Sequence, residues 1–446
     1  MATKYWIGGA PAIAQVRSYT FAGTWETDDI VRFTIGNVSV DVVVGSATIS
    51  TLLDTLVAAW NALSSTAYPQ FAEMTASKSG TTIFRLTADT AGKPFVVTLT
   101  PLETGGGAAD AQTIEGAGVA TTGTATTASS GPEHWDDADN WSSGTIPANT
   151  DTAIVDNTAD NIKYGLDQTA VELVKLVFGP GFTGTLGLPK RNAGGYAEYR
   201  TDYLIFAVVA AGPQIIDVNC RSGRVKLSVI PGAAATVTLN VLDTGSPAEV
   251  GLKSLIFKKT TTGTMIVNAF RGSVDIGPFA GELCTITTLN IGWKTNQAGD
   301  VDMRIGADAL FSATATFAKR GGVLEYYGVS ILGGAGTFKH SGGELRLKGA
   351  GFDGGTIDGG TVIVDTAAAA TFAATTATVM EGSSTLDFGQ SQAALTVSTK
   401  PCITLRGKQA KVKDPFTRLG TGNLLTLQDA DLRNVDLGPS FVLGRA

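Results

Sequence analysis

The residues best suited to acid–base chemistry in this 446-residue chain lie in its C-terminal half. They are Asp300 and Asp302 with Arg304, Glu325, Glu344 with Arg346, and Asp353 with Asp358. Cleaving a sugar polymer needs two carboxyl groups flanking the bond, or a carboxylate beside Arg or Lys, on neighbouring strands of a groove. Each of these residues sits in an alternating strand or a Gly turn, where an outward solvated charge is the ordinary occupant, so no catalytic residue is assigned. The only histidines, His134 and His340, are too few for a Ser/His/Asp or Cys/His set and too far apart in sequence for a local zinc site. Cys220, Cys284 and Cys402 are odd in number, widely separated and without C-x-x-C spacing, which predicts small core residues. The glycines of 349–360 precede no helix and so form no phosphate cradle. No metal and no cofactor is expected.

The run "HWDDADNWSSGTIPANTDTAIVD" (134–156) raises three readings: a metal site, a sugar-binding surface or a structural cap. Asp136, Asp137 and Asp139 resemble the start of a calcium loop. Counting from Asp137, however, Ser142 stands where the loop needs Gly and Ala148 where it needs Glu, which excludes an EF-hand. Trp135, Trp141, Pro147 and Asp151 suit a cap instead, with the rings covering an open first coil and Asp151 closing a turn. Tyr196, Tyr199, Tyr203, Tyr326 and Tyr327 suit either a glycan-stacking strip or, preferably, ladder packing.

The elements that carry these residues are mostly strands. Gly occurs 55 times, well above the usual ~7%, and charged residues make up 16% against a usual ~25%, the profile of a turn-rich β protein. The length exceeds the roughly 250–300 residues at which one core stops growing. Residues 30–45 and 81–101 alternate like antiparallel hairpins. Between them "STLLDTLVAAWNALSS" places Leu52, Leu53, Leu56, Val57, Trp60 and Leu63 on one helical stripe, with Ser50 as N-cap. This predicts an N-terminal α+β module over 1–131 (β-β-α-β-β plus an edge strand), with its own aromatic set of Tyr5, Trp6, Trp25 and Trp60. Residues 104–131 read as a linker or as that edge strand.

A Trp-rich junction over 132–156 leads to a body over 157–446. There "GGVLEYY" (321–327), "GGELRLK" (342–348) and "GGTVIVD" (359–365) repeat a Gly-Gly turn and an alternating strand, starting 21 and then 17 residues apart. That is the length of one coil of a β-solenoid (parallel β-helix-like) body, in which each coil buries its inner face against the next. Tandem antiparallel β-sandwiches are the alternative. "ADLRNVDLGP" (430–439) reads as a closing rung with Leu432 and Leu437 inward.

The net charge of −7, without interleaved Lys/Arg and aromatics, argues against nucleic acid as a partner. The N-terminus lacks an export-signal pattern, and no apolar stretch approaches the ~20 residues of a membrane span. "DDIVRFTIGNVSVDVVV…TLLDTLVAAWNAL…FAEMTASKSGTTIFRLTADTAGKPFVVTL" resembles a small module of tailed-bacteriophage structural proteins. "SGPEHWDDADNWSSGTIPANTDTAIVDN" looks like the junction that follows it there, and is also similar to the entry of secreted bacterial β-solenoid adhesins. The resemblance covers roughly residues 1–190 and supplies no catalytic residues. It implies a virion component: a head decoration protein, head fibre or tail-associated protein that contacts the major capsid protein or another virion protein. A mean hydropathy of +0.15 adds the expectation of a homotrimer. A glycan-binding or glycan-cleaving tailspike facing a host surface glycan, and a secreted adhesin, are the alternatives.

Overall fold

The computed structural model describes residues 2–63, 65–103, 111–208, 214–230, 236–259, 264–282, 284–292, 299–328, 337–349 and 355–364. Beyond these it describes the strand segments 370–372, 378–387, 395–397, 403–406, 411–413, 418–419 and 425–428. Cys402, Asp353 and the 430–439 segment lie outside the described residues.

The protein is mainly β, and most of it is one 20-stranded sheet whose pairings are parallel. From Thr152 to Ile305 strands pair with the next but one. Thr152–Val155 lies beside Lys175–Phe178, which lies beside Gln214–Asn219, then Thr236–Asp243, Thr264–Ala269 and Cys284–Ile291. We call this row sheet A. The alternate strands Asp167–Leu173, Leu204–Val208, Val225–Ile230, Leu255–Lys259, Arg271–Ile276 and Asp300–Ile305 form sheet B. Ala309–Tyr326 serves both rows: Ala309–Lys319 continues sheet A and Val323–Tyr326 continues sheet B. The pattern is compatible with a β-solenoid, whereas antiparallel sandwiches would not pair this way.

Alternation explains the burial. Val237, Leu239 and Val241 point inward, directly above Met265, Val267 and Ala269, which stand above Ile286, Leu289 and Ile291. All belong to one continuous apolar cluster running from Trp6 to Val362. The Gly-Gly repeats form the corners between the rows. Gly322, Gly343 and Gly360 all take left-handed conformations (φ 65°, 71° and 73°), which glycine adopts without steric cost. A Cβ on Gly343 would also strike the carbonyl oxygen of Gly322 in the rung below.

Residues 16–127 pack differently, as antiparallel sheets and one helix around a separate core. Ile30–Ile35 and Val38–Val43 form the expected hairpin. The 81–101 run does not. Ile83–Ala88 pairs with Met74–Ser79 and Val16–Ala22, while Thr98–Leu102 pairs with Ile30–Ile35. Phe95 and Val97, buried in the connection, carry the chain from one sheet to the other. Thr124–Thr127 pairs with Val16–Ala22 as the edge-strand reading of that segment anticipates.

The helix spans Ile49–Asn61 and buries Leu52, Leu53, Leu56 and Trp60; Leu63 lies just past its end. Its cap position is Thr48 rather than Ser50, because the Thr48 carbonyl already accepts from Thr51 and Leu52, and Ser50 instead meets Lys78.

The expected boundary at 131 needs correction at the chain start. Thr3–Tyr5 pairs in parallel with Thr152–Val155, and Trp6 joins the core of the parallel stack, so neither Tyr5 nor Trp6 belongs with Trp25 and Trp60. The antiparallel segment is therefore an insertion whose ends meet where the Ile13 amide donates to the Ser130 carbonyl at 2.8 Å.

Gly343→Ala is expected to lower the melting midpoint more than Gly251→Ala. Both replace a left-handed glycine, at about 1–2 kcal/mol, but an added Cβ at Gly251 meets nothing within 4 Å. Circular dichroism melts of the two variants check this.

Candidate functional site

The outer face of sheet B holds the candidate carboxylates Asp300, Asp302, Glu325 and Glu344. Asp275, Arg304, Glu325 and Arg346 occupy one column on consecutive rungs, so charges of alternating sign stand directly above one another. Arg304 donates to both oxygens of the buried Asp275, at 2.7 and 2.6 Å, and Arg346 lies 3.6 Å from Glu325. Burial opposes the Arg304 charge, but the Asp275 bonds outweigh it and raise its pKa above the ordinary value. In the next column Asp302 takes Lys253 and Glu344 takes Arg346. Asp358 pairs with Lys339 at 3.0 Å. Burial would raise its carboxyl, yet the Ser341 hydroxyl and Lys339 hold it below the usual value. Asp300 is exposed at the start of its strand.

Beside this column the 247–253 loop walls an open groove of about 480 Å³, floored by Ser273, Asp302, Arg304 and Glu325. Both cations that line it are already paired, Lys253 with Asp302 and Arg304 with Asp275. The groove therefore presents a surface of compensated charge.

Two excursions, 187–203 and 244–254, cover the earlier rungs of sheet B. Lys226, almost fully buried, donates to the Leu188 carbonyl at 2.6 Å and reaches Asp202 at 3.4 Å. The Lys258 amine lies 3.8 Å from the Tyr203 ring centre and the Lys190 amine 3.1 Å from that of Phe279. Nearby Glu282 has its carboxyl pushed up by burial, against the Phe279 amide that donates to it. Glu282 and Lys226 escaped the sequence reading because each looks like a solvated charge until another segment folds over it.

The 187–203 excursion also grips the inserted segment. Arg200 donates to Glu198 at 2.7 Å, to the Pro94 carbonyl at 3.2 Å and to Glu73 at 3.3 Å, and stacks 4.6 Å from the Tyr199 ring. Glu73 also accepts from Tyr196 and Lys93. Burial opposes ionisation of Glu198, but Arg200 keeps its pKa low. The tyrosine strip is thus dispersed. Tyr196 and Tyr199 serve this clamp, Tyr203 lies beneath Lys258, Tyr326 is in the core, and Tyr327 is left outside.

The Trp-rich run closes the first rung. Trp135 and Trp141 are buried with ring centres 4.7 Å apart, and Trp6 meets Trp141 edge-on at 5.3 Å. Asp151 accepts from the amides of Ala2 (2.8 Å) and Ala148 (3.1 Å) and pairs with Lys4 at 3.2 Å. Asp137 accepts from the Asp139 amide and the Ser130 hydroxyl. His134 lies 2.9 Å from the Gly92 carbonyl and 3.2 Å from the Ser129 hydroxyl. These groups turn and tie the chain.

One polar group inside the stack was not anticipated. Lys319 points into the core and donates to the carbonyls of Gly321, Gly322 and Gly342 at 2.8, 2.9 and 3.0 Å, beneath the Gly-Gly corners. His340 stands next to it on the following rung, also fully buried. Burial pushes Lys319 down to about 7, against the pull of Glu344; burial and Lys319 together push His340 down to about 3. The Asn ladder on the outer side of sheet A was missed as well. Asn240 donates to Asp217, Asn268 to Asn240 and Asn290 to Asn268, at 2.8, 2.9 and 2.9 Å. Its signal was an outward Asn near the end of three alternate strand runs, "VTLN", "IVN" and "TLN".

Against this geometry, no known protein family, characterised protein or solved structure matches the chain.

Two outcomes are expected. Arg200→Ala leaves Glu73 and Glu198 without their guanidinium partner, a loss of about 3–5 kcal/mol for a buried pair, and should speed proteolysis within 16–127 while the parallel stack stays protected. For Lys319, the folded value of about 7 lies below the ordinary 10.5, so the unfolded chain binds the extra proton between those limits and stability rises with pH across that window. His340 adds the same sign between about 3 and 6.5. Lys319→Met should remove up to ~1.4 kcal/mol per pH unit of that slope above pH 7, read from urea midpoints at pH 7, 8, 9 and 10.

Proposed function

We propose that this chain is a non-enzymatic structural protein on the surface of a tailed-phage particle. In this reading a β-solenoid body is displayed as a homotrimer, and the inserted α+β module provides the main contact with the particle. The observation that carries it is the locking of the insertion onto the stack. The insertion leaves the stack between Ile13 and Ser130 and is gripped again by Arg200 at Glu73 and Pro94, so the two units are tied at two separate places. Such an arrangement holds a display surface at a fixed angle to its support. The pairing of Asp302, Glu325 and Glu344 with Lys253 and Arg346 supports the non-enzymatic part, since Asp302 and Glu325 already serve contacts between rungs and Glu344 is held by Arg346 of its own strand. The groove beside the 247–253 loop keeps a second reading, a tailspike that binds or cleaves a host surface glycan. Among the described residues no helix is long and apolar enough to cross a membrane.

Incubation with host capsular or O-antigen polysaccharide should release no new reducing ends. Release that disappears in an Asp302→Ala/Glu325→Ala variant would establish the tailspike instead. For docking, residues 14–129 are replaced by a short Gly/Ser linker joining Ile13 to Ser130. This variant should keep its β spectrum and lose binding to particles stripped of the native protein; retained binding would assign docking to the stack.

A further inference from the structure

The two outer faces of the parallel stack differ in kind. Sheet B is covered by the 187–203 and 244–254 excursions and, beyond them, carries the alternating charges of the Asp275 column. The outer side of sheet A has no such cover among the described residues. Across Gln214–Asn219, Thr236–Asp243, Thr264–Ala269, Cys284–Ile291 and Ala309–Lys319 its outward side chains are uncharged except at two places. Asp217 is neutralised by Lys175 at 2.8 Å, and Asp243, at a strand end, accepts the Thr244 amide. One column runs from Ile215 through Thr238, Ile266 and Thr288 to Thr316. The neighbouring column is the Asn ladder, whose amides donate to one another up the stack.

We infer that this face of sheet A is the surface through which copies of the chain pack against each other. The inference rests on the self-association in the function proposed above and narrows it, since one face packed on the same face of a second copy is a two-fold contact whose unit is a pair of copies. Charge depletion at the centre of a patch is the compositional mark of a protein interface, and here the depletion is confined to the uncovered side. The face repeats at the rung spacing, about 4.8 Å, so a partner that matches it row for row over its whole length is another stack of the same kind. Strands of six residues at ~3.3 Å each, in five rungs at ~4.8 Å, make a face of about 500 Å². Two such faces bury about 1,000 Å², the lower bound for a specific interface. Small Thr and Asn side chains and short Ile ridges let the two sheets approach to the ~10 Å at which sheets pack.

The test is the mass of the full chain by light scattering between 1 and 100 μM, for the wild type, for Thr238→Lys/Ile266→Lys, and for Arg271→Glu on the exposed edge of sheet B. The expected result is an oligomer for the wild type and Arg271→Glu, and a monomer with an unchanged β spectrum for the double variant. A wild-type monomer throughout this range overturns both the homo-oligomer and this face. An oligomer that persists in the folded double variant overturns the face alone. Should the double variant not fold, the exposed Thr316 is replaced by Cys, and labelling at that position by a bulky maleimide is followed by peptide mass. Labelling at least tenfold slower in the oligomer than in dilute monomer supports the face, and equal rates overturn it.

Discussion

In a parallel stack every residue stands on the equivalent residue of the rung below, less than 5 Å away, and that constraint accounts for most of the structure. Like must tolerate like. Where the column is apolar this is simple, and the inner rows are built mainly of Val, Leu and Ile, broken by Lys319 and His340 on two consecutive rungs. A charged column has to alternate, because like charges at that distance repel, and Asp275, Arg304, Glu325 and Arg346 do alternate. A column of amides can repeat itself, since each Asn both donates and accepts, and the ladder Asn240, Asn268, Asn290 uses that property.

The same rule governs corners. Stacked corners bring backbone onto backbone, so Gly322, Gly343 and Gly360 recur where a Cβ would meet a carbonyl of the previous rung. Turning so sharply leaves carbonyl oxygens inside, and Lys319 meets three of them with one amine. A buried lysine is costly alone; here its hydrogen bonds serve the corner that the glycines make possible. A stack must also end. Thr3–Tyr5 supplies a final strand, and Trp6, Trp135 and Trp141 cover the apolar interior beneath it. Because the chain first makes that closing rung and only then the inserted segment, the insertion is fastened where the stack is most in need of cover.

What the sequence by itself determined was periodic and local. The alternation of the strand runs, the Gly-Gly corners and the apolar stripe from Leu52 to Trp60 all follow from backbone geometry that depends on near neighbours in the chain, and the burial of Trp135 and Trp141 from their large apolar rings. The charged residues of the body were visible as residues of strands, but their partners were not. Arg304 meets Asp275 from 29 positions away and Arg200 meets Glu73 from 127, so only the stacking register and the path of the 187–203 excursion decide those pairs. The tertiary structure likewise decided that Tyr5 and Trp6 belong to the stack, since a three-residue strand carries too little pattern to declare its sheet. It also decided that Lys319 lies inside: its position in an alternating strand marks a face, but whether that face holds carbonyls to receive an ammonium depends on corners contributed by two successive rungs.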